Sequence, residues 1–157
     1  MTYHFKKEPD ALDWKILSEL QKDGRMSFSE LSEKVSLSRP AVAERVKRLE
    51  EANIITGYSA NVNLKALGYP ISAYLTVSVN QTKFKSVVDS LKQIPEITEC
   101  IRLAGQDDII VKIVASSVEY IASTIDDLLE THPDCKYVTF VVMESLLEHD
   151  VITLFKK

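Results

Sequence analysis

The chain of 157 residues is 45% apolar and 27% charged, proportions that exclude wholesale disorder and suit one ordinary domain or two small ones. Its formal net charge of −4 argues against a surface that coats nucleic acid all round, but leaves a local basic patch open. Cys100 and Cys135 are too few for a disulfide scaffold, no apolar run nears the roughly 18–20 residues of a membrane span, and the polar residues 1–10 lack the core of a secretory signal.

The first helix is expected to start at Asp10, an acidic N-cap that suits the orphan amides and the positive end of the helix dipole. Leu12, Ile16, Leu17 and Leu20 then form one apolar stripe, and Gly24 is a candidate left-handed stop. Ser27 to Glu30 has the spacing of a capping box, with Met26 and Leu31 as its hydrophobic staple, and the second helix ends near Val35. After the turn Ser36-Leu37-Ser38, Ser38 can cap a third helix, whose Pro40 sits in the first turn, where no amide is needed.

Charge is distributed unevenly over these elements. Residues 1–64 hold ten Lys/Arg against ten Asp/Glu, and residues 65–157 hold nine against thirteen. Within the window 34–48, Lys34, Arg39, Arg45, Lys47 and Arg48 face Glu44 alone. A charge run by itself is usually a solvated helix face. Here it follows a short helix and a tight turn. At about 100° per residue, Val42, Val46 and Leu49 point inward, while Pro40, Glu44, Lys47 and Arg48 point outward beside the small Ala41 and Ala43. That is the layout of a helix-turn-helix, whose second helix enters the major groove of double-stranded DNA. The expected DNA-facing residues are Ser38, Arg39, Pro40, Ala41, Ala43, Glu44, Arg45, Lys47 and Arg48. Replacing Arg45 and Arg48 with Ala is expected to abolish tight binding and leave the fold intact. The β-branched stretch 53–62 suits either a short hairpin wing or a strand leading out of the domain. The domain junction is placed near Leu64–Pro70, giving domains 1–63 and 64–157.

The second part alternates strand and helix. Residues 71–79 alternate apolar and polar, Phe84, Val87, Val88 and Leu91 share a helix face, and 97–103 read as strand. Gly105-Gln106-Asp107 turns into the strand 109–114. Next come a helix carrying Ile121, Ile125 and Leu128, the breaker His132-Pro133-Asp134, and a strand from Tyr137 to Leu146. The order β-α-β-β-α-β is ferredoxin-like, so the fold class is α+β: a winged helix-turn-helix plus a ferredoxin-like βαββαβ domain. The final strand is apolar on both faces, and a second copy is the economical cover for the sheet. Cys100 is expected to be packed, and His132-Pro133-Asp134-Cys135 reads as a helix end rather than a metal cluster. His4, His132 and His149 stand far apart, with no nucleophile–base spacing, so neither an enzyme nor a cofactor is expected.

The segment from Leu37 to Glu50, LSRPAVAERVKRLE, resembles the recognition-helix pattern of the Lrp/AsnC family of feast/famine regulators. Leu12–Leu17 (LDWKIL) is similar to that family's opening helix, and Thr139–Glu144 (TFVVME) to the last strand of its effector domain. The resemblance implies a cytoplasmic, nucleoid-associated transcription regulator that pairs through its C-terminal domain and assembles further into tetramers or octamers. It also implies an amino-acid effector held near a G-x-x-D loop, here Gly105 to Asp108, with Thr139 and Val141 on the neighbouring strand. Asp107 stands where the commoner pattern has an aromatic residue. Arg102 pairs either with a ligand carboxylate or with Asp107 or Asp108. The alternative is an architectural protein that bends or wraps DNA without an effector.

Overall fold

The computed structural model describes residues 8–104 and 109–146. They form two compact units, one running to Asn61 and the other from Val62 to Leu146.

Three helices make the first unit: α1 (Ala11–Lys22), α2 (Phe28–Val35) and α3 (Arg39–Glu51). Each start is written locally. Asp10 accepts from the amides of Leu12 and Asp13 at 2.9 and 3.0 Å, while Asp13 accepts from the Asp10 amide at 3.0 Å. Ser27 and Glu30 close the expected capping box, with Glu30 Oε2 2.9 Å from the Ser27 amide. Ser38 caps α3, and Pro40 falls in its first turn. Ile16, Leu17, Leu31, Val35, Val42, Val46 and Leu49 then meet in one buried cluster.

Two local expectations are corrected. Gly24 is not a left-handed stop, because Asp23 is already extended (φ −145°, ψ 95°) and its carboxylate takes the Arg25 amide at 2.9 Å. Left-handed residues follow the next two helices instead, Ser36 (φ 57°, ψ 45°) after α2 and Asn53 (φ 59°) after α3. Ser36 carries the left-handed penalty of about 1–2 kcal/mol that glycine avoids, less the larger chain entropy glycine loses on folding. Ser36→Gly is therefore expected to stabilise this unit by up to about 1 kcal/mol, read as a higher urea midpoint at unchanged slope. The expected wing is also absent as a hairpin. Residues 52–70 contain no strand, since a β-branched run forms a ladder only where a partner edge is offered.

The second unit has the order β1 (Ile71–Ser78), α4 (Phe84–Leu91), β2 (Ile97–Arg102), β3 (Ile109–Ala115), α5 (Val118–Thr131) and β4 (Lys136–Val141). Its antiparallel sheet is ordered β2-β3-β1-β4, with Leu75 opposite Val111 and Thr139. Val87 and Leu91 of α4 and Ile121 and Leu128 of α5 share one core with Ala73, Leu75, Val77, Val111 and Ile113, so both helices cover the same sheet face. β4 ends sooner than expected. Val142 still donates to Ser72 O at 2.9 Å, but β1 begins at Ile71, so later residues have no strand to pair with. Cys100, expected to be packed, is exposed on the edge strand β2, while Cys135 is buried.

Candidate nucleic-acid interface

The chain turns from α2 into α3 through Ser36-Leu37-Ser38, held by the Leu37 amide on Ser32 O at 3.0 Å. Because Val42, Val46 and Leu49 are buried, the opposite side of α3 is committed to solvent. Ser38, Arg39, Pro40, Glu44 and Lys47 are exposed there, with Ala41 and Ala43 half-buried between them. Small residues at the leading end let the helix backbone approach a groove closely. Of the exposed residues at that end, Ser38, Arg39 and Glu44 have side chains that can hydrogen-bond.

Arg45 and Arg48, unlike Arg39, are held by carboxylates. Arg45 Nη1 lies 2.8 Å from Asp10 Oδ2 and 2.7 Å from Asp13 Oδ1, and Arg48 Nη2 lies 2.7 Å from Asp13 Oδ2. The Asp13 side chain is 2% exposed, against 22% for Arg45 and 44% for Arg48. Hydrogen bonding from Arg45, helped by the amides of the cap, holds the Asp10 carboxyl at about 2, and the same bond raises Arg45. Lys34 is also engaged, on Glu19 at 2.8 Å; Lys22 and Lys34 together bring the Glu19 carboxyl to about 2. Lys47 stands 3.7 Å from Glu51. Arg39 has no ion pair among the described residues.

In the second unit, Arg102 lies 4.5 Å over the Phe84 ring and reaches Gln81 Oε1 at 3.4 Å. Thr139 and Val141 stand opposite Leu75 and Ala73, on the helix-covered side of edge strand β4. Gly105, Asp107 and Asp108 lie outside the described residues.

Residues 10–50 match the AsnC-type helix-turn-helix domain, and residues 72–152 match the Lrp/AsnC ligand binding domain. The chain belongs to the Lrp/AsnC family. The HTH-type transcriptional regulator LrpC of Bacillus subtilis is 35% identical over 137 residues, 87% of this chain and 93% of that one. Its solved structure superposes with a TM-score of 0.83 over 91% of this chain and all of that one, at 34% identity. The leucine-responsive regulatory protein of Rhizobium meliloti is 38% identical over 126 residues, 78% of this chain and 79% of that one. A transcriptional regulator of Neisseria meningitidis, solved as its L-Met complex, superposes with a TM-score of 0.83 at 27% identity, covering 88% of this chain and 92% of that one.

This Lrp/AsnC protein is thus a transcriptional regulator with a helix-turn-helix DNA-binding domain and a ligand-binding domain. Its relatives are named as regulators, which points to a non-enzymatic role. Among the described residues, no group of three His, Cys, Asp or Glu side chains is placed to hold a metal, and no helix is long and apolar enough to cross a membrane. His132 closes α5 and shares a 2.9 Å hydrogen bond with Ser90. The helix-turn-helix groups the expected residues 38–48 on one element, but Asp10 and Asp13, which engage Arg45 and Arg48, were not anticipated. The available signal was the three-residue spacing of the two arginines, which places both on one helix face before a common partner.

Proposed function

We propose that this chain is a sequence-specific regulator that reads double-stranded DNA with the N-terminal half of α3 and answers to an amino acid or related small effector. The observation that carries the DNA reading is the exposed row Ser38, Arg39, Pro40, Glu44 and Lys47 on a helix whose other side is sealed into the core. Ala41 and Ala43 leave room for the groove wall, and Arg45 and Arg48 flank it. The effector reading is supported by the ligand-binding match and by the L-Met complex of the Neisseria relative. Arg102, Gly105, Asp107, Asp108, Thr139 and Val141 are its proposed contacts. Arg102, stacked on Phe84, offers a carboxylate an oriented guanidinium.

Copies pair through the sheet face opposite the helices. There Phe140 lies beside Tyr74, and Val138 beside Thr76, with Phe140 55% and Val138 49% exposed. A dimer, or a tetramer or octamer built from it, presents two copies of α3 to half-sites about 34 Å or a multiple apart. The protein acts in the cytoplasm, on the nucleoid. The test is selection of duplexes from a random pool, followed by competition. A recovered repeat with helical-turn spacing, whose affinity Arg39→Ala lowers about 5-fold to 100-fold, supports specific reading. Equal displacement by any duplex would replace it with the architectural alternative. Thermal shifts against the twenty amino acids test the effector: a reproducible rise from one of them supports the sensor, and silence across the set removes it.

A further inference from the structure

Arg45 and Arg48 stand three residues apart on α3, so their side chains leave the same face of the helix. Both end on Asp13, and Arg45 also spans both oxygens of Asp10 at 2.9 and 2.8 Å. The two carboxylates are fixed from the other side. Asp10 is the cap of α1, and Asp13 is buried and takes the Asp10 amide. Two acids and two arginines carry no net charge between them. An arginine strengthens DNA binding by neutralising a phosphate and releasing its counterion. Here each guanidinium already holds an anion, and a phosphate gains only what remains after displacing it.

We propose that Asp13, with Asp10 beside it, is a specificity-determining positioning residue: an internal counterion that pins the rotation of α3 against α1 and withholds Arg45 and Arg48 from phosphate. Non-specific attraction is thereby kept low, and the exposed row beginning at Arg39 decides which duplex is bound. The inference rests on the DNA reading above, and neither aspartate touches DNA.

The test uses the full chain with Asp10→Asn and Asp13→Asn. Asparagine is as good an N-cap as aspartate, so Asp10→Asn keeps α1 capped and leaves Asp13 in place. Affinity is measured against poly(dI-dC) and against a duplex selected by the unaltered protein, over a range of salt. Asp10→Asn should bind poly(dI-dC) more tightly and narrow the preference for the selected duplex. Its salt slope should steepen by about 0.9, a roughly 3.5-fold greater loss of affinity for each fourfold rise in salt. Asp13→Asn should do the same more strongly where it folds; where it does not, Asp10→Asn decides. A purely structural role would lower affinity for both duplexes in equal proportion with no change in slope, and that result overturns the inference, as does an unaltered slope and preference. If the unaltered protein binds no duplex, the DNA reading itself fails and the inference falls with it.

Discussion

Replacing Arg45 and Arg48 together with alanine is expected to cost the helical unit about 3 kcal/mol, instead of removing DNA affinity from an intact fold. The double change strips Asp13, 2% exposed where the two arginines contact it, of every guanidinium bond and leaves its carboxylate the Asp10 amide and whatever water the shortened side chains admit. Removing one side of a buried ion pair costs about 3–5 kcal/mol because the surviving charge stays desolvated. The lower figure applies here, since Arg48 is itself half in water and was only partly desolvated to begin with. A unit of this size holds roughly 3–8 kcal/mol in total, so the loss is a large share of it.

Hydrogen exchange in α1 and α3 measures the effect, with amides of Ile16, Leu17 and Val46 losing protection. The variant also has a pH signature. In the unaltered protein the Asp10 carboxyl sits at about 2, below its usual value, so its contribution is present above about pH 4 and is lost as pH falls toward 2. Without Arg45 that acid step should shrink. Unchanged protection together with lost DNA binding would return both arginines to the DNA surface.

Phe140→Asp is expected to separate the paired copies while leaving each one folded. Phe140 is more than half exposed on edge strand β4 and contributes nothing to the core formed with α4 and α5. A carboxylate in its place costs a lone copy little. In a sheet-to-sheet contact the same carboxylate is buried without a partner, and the two-fold axis makes it occur twice. A penalty of about 4 kcal/mol weakens association roughly a thousandfold. Sedimentation at micromolar concentration should then show single chains with an unaltered circular dichroism spectrum. Affinity for a two-site duplex should fall toward that for one site, a loss of about 10²–10⁴ where both heads had been bound together. An unchanged sedimentation coefficient would rule out this sheet face as the contact.

Features encoded within a few residues are legible in the sequence. The caps at Asp10, Ser27 and Ser38 each act within three positions, and the alternation in 71–79 names its own buried face. The recognition segment was equally plain, because a turn, a capping serine, a first-turn proline and a buried stripe follow one another without a gap. The readings that differ turn on a neighbour or a partner strand that the pattern of one segment does not weigh. Gly24 was a sound candidate stop, but the neighbouring Asp23 had already ended the helix. The stretch 53–62 had strand composition without a strand to bind, and the last strand stopped where β1 ran out.

Local pattern along the chain is enough to give two units, the starts of the first three helices, the side of the third that faces the core, and the family to which the chain belongs. What the cations on that helix touch comes from packing alone. Hydrogen-bonded caps and apolar periodicity depend on neighbours three or four residues away. The partners of Arg45 and Arg48 lie 32–35 residues back along the chain. Whether a guanidinium meets a carboxylate or open water is settled when α1 packs on α3, because charge acts through space and not along the backbone.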